Sequence, residues 1–366
     1  MIKDYKLPAV NTRQLCFLIA FLFPIARFLE APRLLASAAK GDLLIPALLS
    51  LLLQGASIAA FLFLSYKTDK TLFQLIENAL GKWVAKAVYF LLTAYYLFAA
   101  VLPLLDLEKF SYAAFFDTAP TTFSFAPFFL LSAFLCTKNF KAVGRSADLC
   151  LFLFLLPFAG ILLMSIGSGD FSSLLPVFSE PFKSSLKAVA VTKPHFADGA
   201  LLLPLLGSYK YEKGAAKKAG VAFAVSVLFT LLFLAFFYSV YTTLSPREHY
   251  AFAKIAQYFP ALAVVGRIDL ILVYLLSIVY LFYACLPLQL AVDCFCKAVN
   301  LEKKGLYSAV LHIGLFVFVL FFNSRYDAVY ALYSQYLYPL FFLFADLLPL
   351  LFPLLLIKKK TKAGTK

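Results

Sequence analysis

Arg27 and Glu30 stand inside an apolar stretch, bracketed by Pro24 and Pro32. A charge at that depth is costly unless it is paired or faces protein or water. Two prolines eight residues apart remove two backbone donors and disfavour a continuous helix. A second interruption, Lys193-Pro194-His195-Phe196-Ala197-Asp198-Gly199, separates two further apolar halves and is followed by Pro204. Unwound backbone exposes N–H and C=O groups, and half-helix ends aim their dipoles at a small polar ligand or ion. The candidate ligand-binding residues are therefore Ala26, Arg27 and Glu30 in the first break, and His195, Phe196, Asp198 and Gly199 in the second. The same residues admit a structural reading, in which Arg27 pairs with Glu30 at i,i+3 or with Asp198 as a lock. An unperturbed histidine titrates near neutral pH, but His195 reads as a hydrogen-bonded structural residue ahead of a proton relay.

Four more acids lie in or beside apolar segments. Asp148 follows Arg145 at i+3 and Asp293 precedes Lys297 at i+4, so local pairing accounts for both. Asp269 stands two residues from Arg267 at the start of a segment, a position compatible with the interface. Asp346 has no basic residue near it in sequence and needs a partner, a proton or a polar cavity. Asp346 and Asp269 are the candidates for ion or proton coupling. His249 and His312 read as surface or packing residues.

Enzymatic chemistry is not expected. The sequence contains no G-x-S-x-G, H-E-x-x-H or Walker pattern. Its six cysteines form no CxxC pair and lack a histidine cluster, so they read as packing residues, with no metal and no cofactor.

The elements that must position these residues are membrane helices. Hydrophobic residues make up 63% of the 366 and charged residues only 14%, against roughly 25% charged in soluble domains. Mean hydropathy is +0.88. Ten segments approach the ~20 apolar residues that a bilayer core requires. They fall near 13–38, 43–66, 83–105, 122–137, 147–167, 184–207, 216–241, 267–296, 305–323 and 330–357. Between Tyr250 and Tyr258 a short interfacial helix competes with an irregular loop. No cleavable signal peptide is evident, and no separate soluble domain is expected.

Charge supports this count. About two thirds of the 33 basic residues fall on the side that ten spans assign to both termini. They include Lys3, Lys6, Arg13, Lys82, Lys86, Lys138, Lys141, Lys217, Lys218, Lys303, Lys304 and Lys358. Loops expected on the opposite side carry Asp106, Glu108, Asp117, Asp170 and Glu180. The expected orientation therefore has cytoplasmic ends, and the net charge of +14 reflects loops facing anionic lipid, not nucleic acid. Segments 1 and 6 each open a set of five, and an odd number of spans inverts the second set relative to the first. The expected fold is all-α and polytopic, a single membrane domain of ten transmembrane helices. Residues 1–170 and 171–366 would form a five-plus-five inverted repeat of the LeuT-like kind, with helices 1 and 6 interrupted and a midplane site between them.

Several stretches, in order along the chain, carry a family likeness. They are Asn11-Thr12-Arg13-Gln14-Leu15, Ala31-Pro32-Arg33-Leu34-Leu35, Thr71-Leu72-Phe73-Gln74-Leu75-Ile76-Glu77, Gly144-Arg145-Ser146-Ala147-Asp148, Asp170-Phe171-Ser172-Ser173-Leu174-Leu175-Pro176-Val177 and Val265-Gly266-Arg267-Ile268-Asp269. Over nearly its whole length the chain resembles the spore germination permeases, the membrane B subunits of nutrient germinant receptors within the amino acid–polyamine–organocation transporter superfamily. The resemblance implies a small nutrient such as an amino acid bound at broken helices 1 and 6. It also implies A-type and C-type receptor subunits as partners, and a cell membrane or spore inner membrane location. The alternative is a secondary transporter for amino acids or related solutes, with no signalling role. Two departures stand out. The family tends to have small apolar residues where this chain has Arg27 and Glu30, and often a glutamate near the position of Asp198, so ligand identity does not carry over.

Overall fold

The computed structural model describes residues 10–115, 121–257, 266, 269–301, 304–322 and 325–354. Among these there is no β-strand, and a lone bridge joins Val10 to Tyr209. Among the described residues, seven helices are long and apolar enough to cross a bilayer: Leu44–Lys67 (α3), Lys82–Phe115 (α5), Phe140–Ser165 (α7), Ala215–Tyr241 (α10), Asp269–Val299 (α12), Lys304–Phe322 (α13) and Tyr326–Leu354 (α14). A short helix, Leu72–Leu80 (α4), lies between α3 and α5. An eighth crossing is a bent pair. Thr12–Phe17 (α1) continues irregularly to Arg27, and Ala31–Ala39 (α2) leaves it at an angle of 60°. The remaining expected spans are Thr121–Cys136 (α6), of 16 residues, and the segment made of Phe182–Thr192 (α8) and Gly199–Leu202 (α9). By length alone, one is short for the hydrocarbon core and the other is divided.

The bend follows from the sequence. Leu18–Leu22 widens into a π turn, and Pro24 opens a 3-10 turn that ends at Arg27. A proline cannot donate to the preceding turn, so the α-ladder fails there. Pro32 sits in the first turn of α2, where a missing N–H costs nothing. The freed groups of the break find other partners. Ala251 N–H donates to the Leu29 carbonyl at 3.0 Å, and Phe252 N–H to that of Phe28 at 3.0 Å. Both donors belong to the first turn of Ala251–Gln257 (α11), whose N–H groups have no partner within their own helix. Of the two readings for the stretch from Tyr250 to Tyr258, the structure takes the helix, mostly buried and not interfacial, with Phe252 against Phe110 at 5.1 Å; Tyr258 lies outside the described residues. Phe28 stacks on Phe233 at 4.2 Å and on Phe158 at 5.5 Å, which fixes the break from the opposite side.

The second break forms in the same way. Pro194 opens a 3-10 turn over Lys193–Phe196, and α9 runs for one turn before Pro204. The Ala200 carbonyl accepts from Tyr96 Oη at 2.7 Å. Gly199 lies where a Cβ would meet Ser57 Cβ at 2.6 Å and the Ala345 carbonyl at 2.8 Å, so only glycine lets α3 and α14 approach this closely. Helix α5 runs ten residues past its expected end at 105 and takes Asp106 and Glu108 with it. These acids are therefore buried helix residues and not loop residues, since the apolar run ends before the helix does. Asp117 lies outside the described residues. On the connection before α8, Asp42 accepts from Phe178 N–H at 2.8 Å and Glu180 N–H at 2.7 Å. Lys40 bonds Glu180 at 2.8 Å, and that bond raises the lysine above its ordinary pKa.

Candidate functional site

The two breaks meet at the Arg27–Asp198 pair. Arg27 ends the 3-10 turn opened by Pro24, and Asp198 precedes α9. Both side chains are fully buried, with Nη2 to Oδ2 at 2.5 Å. The same Nη2 donates to Gln54 Oε1 at 2.6 Å, and Nη1 to Thr230 Oγ1 at 3.3 Å. Asp198 also accepts from Gln54 Nε2 at 2.9 Å and from Tyr283 Oη at 2.9 Å. Five elements converge here: both breaks, α3 through Gln54, α10 through Thr230 and α12 through Tyr283. The Phe196 ring lies under the guanidinium at 4.9 Å. A buried carboxylate pays for its lost hydration only when charge and hydrogen bonds both reach it, and Asp198 has both.

A second pair adjoins Phe196. Lys193 Nζ reaches Asp346 Oδ2 at 2.5 Å, with the Phe196 carbonyl at 3.4 Å and the Phe342 ring at 4.8 Å. The partner that Asp346 lacked in sequence therefore comes from the second break. Lys193 belongs to that break, and nothing in local spacing links positions 193 and 346. Asp269, the other coupling candidate, begins α12 and is buried there. It stands fourteen residues before Tyr283 in the same helix, or about 20 Å along the axis. The structure does not bring it to the central cluster.

Glu30 also parts from Arg27. It pairs with Arg33 Nε at 2.8 Å and His249 Nδ1 at 3.1 Å, and Tyr250 N–H approaches it at 3.4 Å. Of the two partners open to Arg27, the structure selects Asp198. His249 is thereby a tether between the first break and the segment entering α11, more than a surface residue. His195 meets Tyr330 Oη at 2.8 Å and the Ala26 backbone, a structural bridge between the first break and α14. Ala26 and His195 border a cavity of about 10 Å³, together with Pro194, Tyr280 and Tyr283. That is room for one water at most.

Asp106 is a further site residue that the loop reading missed. It is fully buried and accepts from Tyr326 Oη at 2.6 Å and Tyr280 Oη at 3.5 Å. Two local pairings resolve differently. Asp293 does pair with Lys297 at 2.7 Å and adds Lys304 at 2.7 Å. Asp148 does not pair with Arg145; it pairs with Arg13 at 3.2 Å and accepts from Gln14 at 3.0 Å, because α1 packs along α7. His312 is a packing residue bonded to Ser132 at 2.8 Å.

Two broken helices cross-linked by buried charges, with a cavity of about 10 Å³ beside them, make a polar centre in an apolar bundle. A family profile described as spore germination protein matches residues 9–327. No curated protein matches the chain.

Proposed function

From a chain that belongs to the spore germination permease family, and is a multi-pass membrane protein by its helices, we propose a role as the membrane subunit of a spore nutrient germinant receptor. In this reading α6 and the divided α8–α9 segment also cross the membrane. The ten spans then form two inverted halves, 1–170 and 171–366, with both termini cytoplasmic. A small zwitterionic nutrient such as an amino acid binds between the breaks, and A-type and C-type subunits receive the signal.

The observation that carries the reading is the Arg27–Asp198 pair, which joins the break of one half to the break of the other. An α-amino acid carries the same two charges. Its carboxylate takes Arg27 and its ammonium takes Asp198, so the ligand exchanges one internal ion pair for two external ones. In this reading the one-water cavity beside the pair belongs to the closed arrangement. Entry requires helices 1 and 6 to separate, and binding holds them apart. A ligand shifts such an equilibrium only by its difference in affinity for the two states. Neither catalysis nor a cofactor enters this mechanism.

Thermal unfolding of the purified protein in lipid nanodiscs, with a panel of amino acids, tests the reading. A saturating ligand-dependent rise in Tm for the natural chain, absent in Asp198→Asn, is expected. No stabilisation by any nutrient in the presence of the partner subunits would sink it. The second reading, a secondary transporter without signalling, draws on Lys193–Asp346. A second buried charge pair beside the ligand site provides a place for coupling to an ion or proton. Gradient-driven uptake of solute into vesicles by the isolated chain decides for it.

A further inference from the structure

A groove of about 850 Å³ runs between α1 and α10, and none of its lining residues belongs to the central cluster. Its two walls repeat one pattern. On α1 and its continuation, Arg13 is followed at successive turns by Phe17 and Phe21. On α10, Lys217 is followed by Val221 and Val225. Residues four apart share a helix face, so each wall carries a cation at one end and apolar side chains along the rest. Lys218 adds a third cation, and Glu212 is the one acid among the lining residues. Arg13 is 70% exposed despite its contact with Asp148. Among the described residues, neither Lys217 nor Lys218 has a carboxylate within ion-pair distance. Charge is thus segregated along the groove and not around it.

We propose that this groove binds one anionic phospholipid, with the phosphodiester on Lys217, Lys218 and Arg13 and one acyl chain along Phe17, Phe21, Val221 and Val225. The polarity of the groove matches that of the ligand. A purely apolar trough would not distinguish lipids, and a purely basic patch would not hold a chain. Basic pockets between helices at the headgroup level recognise acidic lipids for this reason. The groove borders α1, which leads into the first break, so an occupied groove braces the half-helix that ends at Arg27. No residue is shared with the nutrient site, and this binding stands whether or not that reading does.

Native mass spectrometry of the full chain, released from nanodiscs of mixed phosphatidylglycerol and phosphatidylcholine, tests the proposal. The natural chain is expected to retain one phosphatidylglycerol in preference to phosphatidylcholine. Each cation near an acidic headgroup is worth about 1 kcal/mol, so Lys217→Gln/Lys218→Gln should weaken retention about 30-fold. Val221→Trp, which fills the trough at constant charge, should also expel the lipid, and it carries the test if the double variant does not fold. Free inorganic phosphate at millimolar concentration should not compete, because it brings no acyl chain. Equal retention of both lipids by the natural chain, or undiminished phosphatidylglycerol in a folded variant, overturns the assignment. So does full competition by phosphate.

Discussion

The Arg27–Asp198 centre and the Glu30 centre use the same chemistry three residues apart in the first break, yet they are opposites in exposure. Both partners of the first are fully buried. Glu30 is equally buried, but the side chains that bond it, Arg33 and His249, remain 19% and 45% exposed. One centre is sealed and the other is open through the side chains that bond it. A sealed pair has lost the hydration of both ions, so removing either partner strands a charge without water. An open pair can rehydrate. Breaking the sealed centre is therefore the costlier change, and the open one works as a tether that holds α11 against the first break.

The largest expected effect breaks the sealed centre. Arg27→Ala or Asp198→Ala should lower stability by about 3–5 kcal/mol, read as Tm in detergent. The double replacement Arg27→Met/Asp198→Leu should recover much of that loss while leaving no nutrient response. If each single variant is nearly neutral, the centre is hydrated and the contrast collapses. Close packing around the sealed centre comes next. Gly199→Ala forces a methyl against Ser57 and Ala345, and overpacking of this kind costs about 1–3 kcal/mol. Unchanged Tm would show that α3 and α14 yield easily.

Smaller and more local is Glu30→Gln, which keeps shape but removes charge. A hydrogen bond to a charged group contributes about 1.5–3 kcal/mol, reduced here because two partners reach water. Its signature is positional. Hydrogen exchange at the Ala251 and Phe252 amides, bonded to the break at 3.0 Å each, should accelerate while α9 keeps its protection. Equal acceleration in both breaks would mean that the two centres are one cooperative unit. Smallest is Glu180→Gln at the exposed Lys40 contact. The raised Lys40 pKa means its contribution is complete below the ordinary lysine range and is lost only as pH rises through the folded value. Glu180→Gln is therefore expected to shift Tm by the same small amount at pH 6 and pH 8, and a shift that differs between the two would show that another titrating group sets it.

Much of the molecule was legible in the chain itself. Apolar segments placed most long helices within a few residues, because a bilayer demands continuous hydrophobicity. The clearest miss was the end of α5, where the helix outlasts its apolar run and buries Asp106. Pro24, Pro32 and Pro194 marked both breaks, since a missing backbone donor acts locally wherever it stands. Five of the seven candidate ligand residues, Ala26, Arg27, His195, Phe196 and Asp198, lie at the centre or line its small cavity. Glu30 is drawn to His249, and Gly199 is pressed against α3 and α14.

Which charges meet was a different matter. Arg27 with Asp198, Lys193 with Asp346, Glu30 with His249 and Arg13 with Asp148 span 171, 153, 219 and 135 positions. Local spacing suggested Arg145 for Asp148 and nothing for Asp346, because i,i+3 and i,i+4 rules describe one helix face and not its neighbours. A buried charge must find a partner, and its type alone determined that need. The partner's identity depends on which helices pack together and how they are rotated, and only the tertiary structure decided that.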